Sequence, residues 1–137
     1  MKYAVKPYNK YGNKKVEFQG VLFDSKKEMQ RYLILLEAQR NGVISDLQRQ
    51  VKFELIPAIT EEYIEHLKTK DKVKNRTIQL AVNYICDFTY KKDGEFIIED
   101  VKASKSMLTK EYLLKKKLLF AIHGLCVREI YKPTESV

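Results

Sequence analysis

The chain has 137 residues, of which 45% are apolar and 32% charged, and its formal net charge is +8. This length predicts a single domain over residues 1–137 with one hydrophobic core, and the apolar content argues against general disorder. No apolar run approaches the ~20 residues that span a bilayer, and the N-terminus lacks the apolar segment of a secretory signal. We therefore expect a cytoplasmic protein with no membrane partner. The basic charge favours nucleic acid as partner, although charge alone does not exclude a protein that is merely soluble and basic.

The first third of the chain predicts an arm, a hairpin and a helix. Residues 1–14 are predicted to form a mobile basic arm, and residues 15–23 a short hairpin that turns at Gly20. The next segment predicts a helix that begins after Ser25 and ends at Gly42. Glu28 lies three residues after Ser25, the spacing of a capping box. The apolar stripe of this helix is predicted at Met29, Leu33 and Leu36, flanked by Tyr32 and Leu35.

The middle of the chain is harder to interpret. Residues 43–56 predict a strand that Pro57 ends. Residues 57–77 are predicted to be an insertion, with a short helix over 58–70. Basic residues then occupy alternate positions, at Lys68, Lys70, Lys72, Lys74 and Arg76. These predict either a loop that grips phosphates or a solvated surface loop.

Residues 79–103 predict a β-hairpin that turns at Asp93-Gly94. If these two residues form the turn, the register places Asp87 directly opposite Asp100, with Cβ atoms roughly 4.5–5.5 Å apart. Lys102 lies two residues beyond Asp100 and so points to the same face. Two opposed carboxylates are destabilising unless a positive charge lies between them. A slip of one residue would put Glu99 in place of Asp100.

The other face of this hairpin is predicted to face the core. Its residues would be Tyr84, Cys86, Phe88, Tyr90, Ile97 and Val101, with Glu99 as an awkward addition. A minority interpretation takes Tyr84, Phe88 and Tyr90 as an RNA-stacking surface. Cys86 and Cys126 are 40 residues apart and are expected to be free thiols rather than a disulfide or a zinc site.

The rest of the chain predicts a second helix, a last strand and a tail. The helix would begin near Ser104 and end at Gly124. Its apolar stripe is predicted at Leu114, Leu118 and Ile122. Residues 125–131 predict the last strand, and residues 132–137 a tail. Strands separated by two helices predict an α/β fold with a mixed central sheet.

The opposed aspartates suit phosphodiester hydrolysis. That reaction requires a cation to polarise the phosphoryl oxygen and an activated water. Mg²⁺ takes oxygen ligands, keeps several waters and is usually held by one or two carboxylates, as Asp87 and Asp100 would provide. The Lys102 ammonium would orient the water or neutralise developing charge. Asp-x-Lys alone is a weak signal; the independent Asp-Gly register strengthens it.

The pattern Asp87…Asp100-Val101-Lys102, preceded by a helix with Glu28, resembles the PD-(D/E)XK nuclease superfamily. More closely, the chain resembles a family of small phage-encoded nuclease-like proteins over most of residues 10–131, least so in 57–77. Cys86 stands where the superfamily has proline before its first acid. The resemblance implies a restriction-endonuclease-like core of helix, three strands, helix and strand, with two main helices flanking a mixed sheet.

The resemblance also implies roles for residues of this chain. Asp87 and Asp100 would ligate Mg²⁺ or Mn²⁺ with the Val101 carbonyl, Lys102 would orient the attacking water, and Glu28 would join the metal shell through water. Weaker expectations are nucleic-acid contacts at Gln50, Lys52, Lys105, Lys110 and Lys116. Junction-resolving members of the superfamily act as dimers, although the sequence shows no interface pattern, so a monomer and a homodimer both stay open.

Three hypotheses for function follow. The first is a Mg²⁺- or Mn²⁺-dependent endonuclease that acts on DNA in phage recombination, processing or degradation, with RNA as a second substrate class. The second is a nucleic-acid-binding protein that keeps a nuclease-like fold without catalysis. The third is a protein-interaction module that uses the lysine-rich second helix.

Overall fold

The computed structural model describes residues 14–137, so residues 1–13 of the predicted arm lie outside the described part of the chain. The elements in chain order are β1 (Val16–Phe18), β2 (Val21–Phe23), α1 (Lys26–Arg40), β3 (Ser45–Ile56), β4 (Ile59–His66), β5 (Asp71–Gln79), β6 (Val82–Lys92), β7 (Glu95–Val101), a 3₁₀ turn (Lys105–Met107), α2 (Lys110–His123) and β8 (Val127–Ile130). None of the described helices is long and apolar enough to cross a membrane.

The central sheet has four strands in the order β3-β6-β7-β8. β6 pairs antiparallel with both β3 and β7, and β7 pairs parallel with β8 after the crossover through α2. The pairs β1-β2 and β4-β5 each form a separate two-stranded sheet. The predicted α/β class, the mixed sheet, the two helices and the N-terminal hairpin are therefore confirmed. The restriction-endonuclease-like core stays a prediction.

Helix α1 begins and ends where its capping residues predict. Ser25 Oγ accepts a hydrogen bond from the Glu28 N–H at 3.1 Å. Gly42 follows the helix with φ of +75°, a conformation that glycine adopts without strain. The predicted stripe is partly wrong, because Leu33 is exposed while Leu35 is fully buried. The helix is turned so that Arg31, rather than Leu33, enters the interior, where it pairs with Glu99.

Helix α2 begins later than predicted, at Lys110, after Thr109 caps it by accepting from the Tyr112 N–H at 3.1 Å. Its predicted stripe is partly wrong, since Leu114 and Ile122 are exposed and only Leu118 packs against the core. The buried residues are Tyr112 and Leu119, which are seven positions apart and so lie on one side of the helix. A tyrosine ring fills the place that the pattern assigned to leucine.

The predicted short helix in residues 58–70 is wrong as well. Strands β4 and β5 form an antiparallel hairpin in which Ile64 pairs with Val73. β-branched and aromatic residues such as Thr60, Tyr63 and Ile64 favour a strand. The basic residues that alternate at Lys72, Lys74 and Arg76 therefore share one face of β5.

Strand β6 changes side along its length. Tyr84 and Cys86 pack in a cluster with α2 residues, whereas Phe88 and Tyr90 pack in a second cluster with Leu35 of α1. Alternate residues of a regular strand share a face, so the single predicted core face is wrong. All four are at most 3% exposed, so the aromatic residues of the RNA-stacking interpretation have no exposed ring. A local irregularity beside Asp87 accompanies this change, because Arg49 and Val51 pair with Phe88 and Cys86 while no pair joins Gln50 and Asp87. There, Gln50 of the neighbouring strand has a left-handed φ of +51°.

Residues 132–137, predicted to be a tail, contain no helix or strand, but they pack against the body. The carbonyls of Pro133 and Ser136 accept hydrogen bonds from the buried Arg31 guanidinium at 3.1 and 3.3 Å. The C-terminal segment therefore covers a buried ion pair. The two cysteines are free as expected, Cys86 buried and Cys126 exposed.

Candidate active site

The β6–β7 hairpin has the predicted register. Lys92 pairs with Glu95 across the Asp93-Gly94 turn, and the pairing continues to Phe88 and Glu99. Asp87 and Asp100 are the next residues on the two strands, and they are joined by side-chain hydrogen bonds rather than by backbone pairing. Glu99 is paired with Phe88 and not with Asp87. A slip to Glu99 is therefore excluded.

Asp87 and Asp100 hold the two strands together through their side chains. The Asp87 N–H donates to Asp100 Oδ1 at 2.9 Å, and the Val101 N–H donates to Asp87 Oδ2 at 2.8 Å. Each carboxylate thus accepts a hydrogen bond from the facing strand. Val101 enters the site through its N–H, and a ligand role for its carbonyl stays a prediction.

Asp100 is almost fully buried, with 3% of its surface exposed. Its Oδ2 accepts a hydrogen bond from the Tyr84 hydroxyl and lies 3.6 Å from Lys102 Nζ. The predicted neighbourhood of Asp100 and Lys102 is therefore present. Tyr84 was missed as a site residue because its position in β6 predicted only a core role.

Lys102 is placed by groups from three elements. Its Nζ lies 3.8 Å from the centroid of the Tyr112 ring, a cation–π contact with α2. The Tyr112 hydroxyl donates to Glu129 Oε2 of β8 at 2.8 Å, which fixes the ring. The Lys102 carbonyl accepts from Lys27 Nζ at 3.3 Å. No sequence pattern signals Tyr112, because this contact joins residues on different elements.

Glu28 is 2% exposed and serves both the helix end and the site. Its Oε2 accepts from the Asp24 N–H at 3.0 Å, and its Oε1 accepts from Gln50 Nε2 at 3.2 Å. Arg49 Nη2 lies 3.8 Å from the same Oε1. Glu28 and Gln50, predicted separately as a metal-shell residue and a nucleic-acid contact, are thus hydrogen-bonded to each other, and those two roles stay predictions. Arg49 is a neighbour that sequence reasoning missed.

Arg49 is held by aromatic rings beside Glu28. Its guanidinium carbon lies 4.2 Å from the Phe23 ring centroid and 5.3 Å from that of Tyr32. Its Nη2 also donates to the Leu22 carbonyl at 3.1 Å. The two aromatic rings and the Leu22 carbonyl thus hold the positive charge of Arg49 beside the Glu28 carboxylate.

The carboxyl groups hold protons more tightly than isolated ones do. Burial, then the charges of Asp100 and Glu28, raises the pKa of Asp87 to about 8. Burial also raises the pKa of Asp100, against the lowering effect of the Tyr84 hydrogen bond and of Lys102. Burial likewise raises the pKa of Glu28. Burial is thus the main reason why these carboxyl groups resist ionisation, and for Asp87 the charges of Asp100 and Glu28 add to it.

A cavity of about 280 Å³ opens beside these residues. Its lining includes Asn83 and Tyr84 of β6, Asp100, Lys102, and Tyr112 of α2. It therefore presents a buried carboxylate, the Lys102 ammonium and two phenols to the same space, with Glu111 and Lys115 also in the lining.

The other predicted nucleic-acid contacts lie apart from the aspartates. Within residues 14–137, none of Lys52, Lys105, Lys110 and Lys116 makes a hydrogen bond or ion pair with Asp87 or Asp100. The first three are exposed, while Lys116 forms a 3.4 Å ion pair with Glu129. Surface contacts at Lys52, Lys105 and Lys110 stay predictions, and Lys116 has a structural partner.

The donor set fits a cation held by two carboxylates. In the described part of the chain, no group of three His, Cys, Asp or Glu side chains is arranged to hold one metal ion. Asp87 Oδ2 and Asp100 Oδ1 each accept from a backbone N–H, and Asp100 Oδ2 accepts from the Tyr84 hydroxyl. Asp87 Oδ1 accepts no hydrogen bond from residues 14–137, and each bonded carboxylate oxygen has a second lone pair for a cation. Mg²⁺ needs only one or two carboxylates and retains several waters, so these residues fit it without Glu28 as a direct ligand.

Comparison with known proteins gives a family without an assigned activity. A family model described as "Protein of unknown function (DUF1064)" matches residues 8–132, so the chain belongs to this family. No curated protein and no solved structure matches the chain.

Proposed function

From the residues gathered around Asp87 and Asp100, we propose that this DUF1064 protein is a divalent-metal-dependent nuclease that hydrolyses phosphodiester bonds in DNA. One observation carries the proposal. Asp87 and Asp100 each accept a hydrogen bond from the facing strand, both have raised pKa values, and Asp100 lines a cavity together with the Lys102 ammonium. A stable protein places like charges together at a cost, and a cation between them would remove that cost.

The chain's own residues have distinct parts in this function. Asp87 and Asp100 would hold Mg²⁺ or Mn²⁺, and the Tyr84 hydroxyl and the facing backbone N–H groups fix the orientation of both carboxylates. When bound, the cation polarises the phosphoryl oxygen and lowers the pKa of a coordinated water. The Lys102 ammonium, 3.6 Å from Asp100, would orient that water and offset the charge that develops on the phosphoryl group.

Glu28 would support the two aspartates indirectly. Its carboxylate is fixed by Asp24 and Gln50, and its charge is among the causes that raise the pKa of Asp87. This places it to bind a water of the metal shell rather than the metal itself. Gln50 would then position Glu28, which gives the exposed glutamine and its left-handed backbone a role in the site.

The test is cleavage of supercoiled and linear DNA by the purified chain with Mg²⁺, with Mn²⁺ and with EDTA. We expect metal-dependent nicking that Asp87→Asn and Lys102→Ala each abolish. Asp93→Asn is the matched control, because Asp93 lies in the exposed turn of the same hairpin. Cleavage that persists in EDTA, or that Asp87→Asn leaves unchanged, would disprove the proposal.

A second candidate is a DNA-binding protein without catalysis. It is favoured by the lack, among residues 14–137, of a three-membered ligand group of His, Cys, Asp or Glu. It predicts salt-dependent DNA binding and no product with any divalent metal. Metal-dependent nicking that is lost in Lys102→Ala would exclude it.

A further inference from the structure

Strands β4 and β5 form a ribbon that stands apart from the central sheet. They have eight and nine residues, so the ribbon is about 26 Å long at ~3.3 Å per residue. Neither strand is hydrogen-bonded to the four-stranded sheet. A two-stranded hairpin alone is marginally stable in water, so a ribbon of this length indicates a surface that a partner covers.

The ribbon leaves the sheet beside the candidate active site. Strand β3 ends at Ile56, which pairs with Val82 at the start of β6, and the ribbon lies between these two residues in the chain. The next residues of β6, Asn83 and Tyr84, line the cavity that contains Asp100. A polymer that crosses this cavity would therefore meet the base of the ribbon.

Most cations on the strands of the ribbon are already paired. Arg76 forms an ion pair with Glu61, and Lys74 forms one with Glu65. The Arg76 guanidinium also lies 5.4 Å from the Tyr63 ring centroid. These contacts join β4 to β5 and leave little net charge along the strands.

The tip of the ribbon is different. Lys68, Lys70 and Lys72 lie within five residues, are exposed, and form no ion pair with any residue of the described range 14–137. The acid among them, Asp71, lies 2.9 Å from His66 Nδ1, and with a neutral histidine the three lysines and Asp71 together carry a net charge of about +2. Uncompensated positive charge is therefore concentrated at the end that lies farthest from the sheet, which is complementary to a polyanion.

The face of the ribbon that carries Ile64 and Val73 is too small to form a stable dimer interface. Ile64 and Val73 are 58% and 65% exposed and form one cross-strand pair. A face about 26 Å long and two strands wide offers about 250 Å², whereas a stable interface takes ~800 Å² from each partner. Charge and size together favour a nucleic acid over a second copy.

We infer that the β4–β5 ribbon is an arm that lies in the groove of duplex DNA bound at the cavity, with Lys68, Lys70 and Lys72 contacting phosphates. A two-stranded ribbon fits the major groove, which is about 12 Å wide. The inference rests on the proposed function in taking DNA as the substrate. It adds the surface that binds the duplex and the lysines that set its affinity.

The test is binding of a fluorescent 30-base-pair duplex to the full chain in EDTA, over a series of salt concentrations. Each phosphate contact contributes about 0.9 to the slope of log Kd against log salt, so K68A/K70A/K72A should lower the slope by about 2 to 3. K91A/K117A/K132A is the matched control, with the same change of charge at exposed lysines elsewhere. We expect it to change the slope by less than about one.

The outcomes separate the inference from the proposed nuclease. If the wild-type chain binds and the ribbon variant keeps its affinity and slope, the ribbon inference is wrong and the nuclease proposal is untouched. Lysine-dependent binding in a chain that never cleaves DNA upholds the ribbon inference and disproves the nuclease. A failure to bind duplex at low salt disproves the ribbon inference. The ribbon inference is also wrong if the wild-type chain is a dimer, I64E/V73E is a monomer and both bind DNA equally well. In that case the ribbon is a contact between two copies of the chain.

Discussion

Glu99 and Asp100 are neighbours on β7, both buried, and their surroundings are opposite. Glu99 faces α1, where Arg31 donates to its two oxygens at 2.8 and 2.6 Å. The Tyr90 hydroxyl and Arg128 add contacts at 2.5 and 3.4 Å. Asp100 faces the α2 side, where it accepts hydrogen bonds from the Tyr84 hydroxyl and the Asp87 N–H and lies 3.6 Å from a single ammonium. Its negative charge also raises the pKa of Asp87.

This difference separates a structural carboxylate from a candidate functional one. The charge of Glu99 is matched by a bidentate guanidinium with no exposed surface, and the C-terminal segment closes over the pair. The charge of Asp100 is left to compete with Asp87, and both hold protons more tightly than usual. Burial alone therefore does not mark a site; burial without matching charge does.

The largest expected effect is on the Glu99 side. Glu99→Gln leaves the Arg31 guanidinium buried without its counter-charge, and breaking such a pair costs about 3–5 kcal/mol of unfolding free energy. Urea unfolding followed by circular dichroism measures this loss. Asp100→Asn is the paired control and should lose far less. Equal stability of Glu99→Gln and wild type would show that the two carboxylates do not differ as described.

For catalysis we expect the larger effect at Asp100 rather than at Glu99. Asp100→Asn should lower the rate of metal-dependent DNA cleavage by more than about a hundredfold, since even the residues that support metal ligands contribute ten- to a hundredfold. Its free energy of unfolding should be unchanged or higher, because one of two opposed charges is removed. Cleavage rates are measured beside urea unfolding of the same preparation. A large loss of stability in Asp100→Asn would make Asp100 a structural residue like Glu99.

The sequence predicted the part of the site that depends on local rules. Asp93-Gly94 and the period of two fixed the register that sets Asp87 against Asp100, because turn type and strand pairing are determined by nearby residues. Ser25 and Gly42 likewise set the bounds of α1. These features need no information about distant parts of the chain.

What the sequence did not predict depends on contacts between elements. The change of side in β6 accompanies a left-handed Gln50, a conformation that glutamine rarely adopts and no pattern signals. Residues 58–70 predict a helix because acidic residues come first and lysines last, and the basic residues after them predict a loop, whereas strand pairing between β4 and β5 decides the structure. Tyr112 and Arg49 reach the site from elements whose packing direction was not known. The awkward Glu99 was explained only by Arg31, which is 68 residues away in the chain.

The pH dependence of stability gives an effect of intermediate size. Asp87 keeps its proton up to a pKa of about 8, whereas an aspartate in the unfolded chain loses it near pH 4. Between these values the folded state binds more protons, so the free energy of unfolding falls as pH rises, by at most ~1.4 kcal/mol per pH unit for one group. Thermal unfolding in EDTA from pH 5 to 8 should show this fall in wild type and a smaller one in Asp87→Asn. Mg²⁺ or Mn²⁺ should restore stability most at pH 8. Identical pH slopes in the two proteins would contradict the raised pKa of Asp87.

The smallest expected effect concerns the placement of Lys102 by Tyr112. Tyr112→Leu removes the ring that lies 3.8 Å from Lys102 Nζ, whereas Tyr112→Phe keeps the ring and loses only the hydrogen bond to Glu129. A cation–π contact contributes about 0.5–2 kcal/mol, so kcat should fall about 2- to 30-fold in Tyr112→Leu, with KM nearly unchanged. Tyr112→Phe should retain most of the activity. Because Tyr112 is also part of the core, rates are compared well below the unfolding midpoint of each variant. Equal losses of kcat in both variants would show that the hydroxyl and Glu129, rather than the ring, hold Lys102 in place.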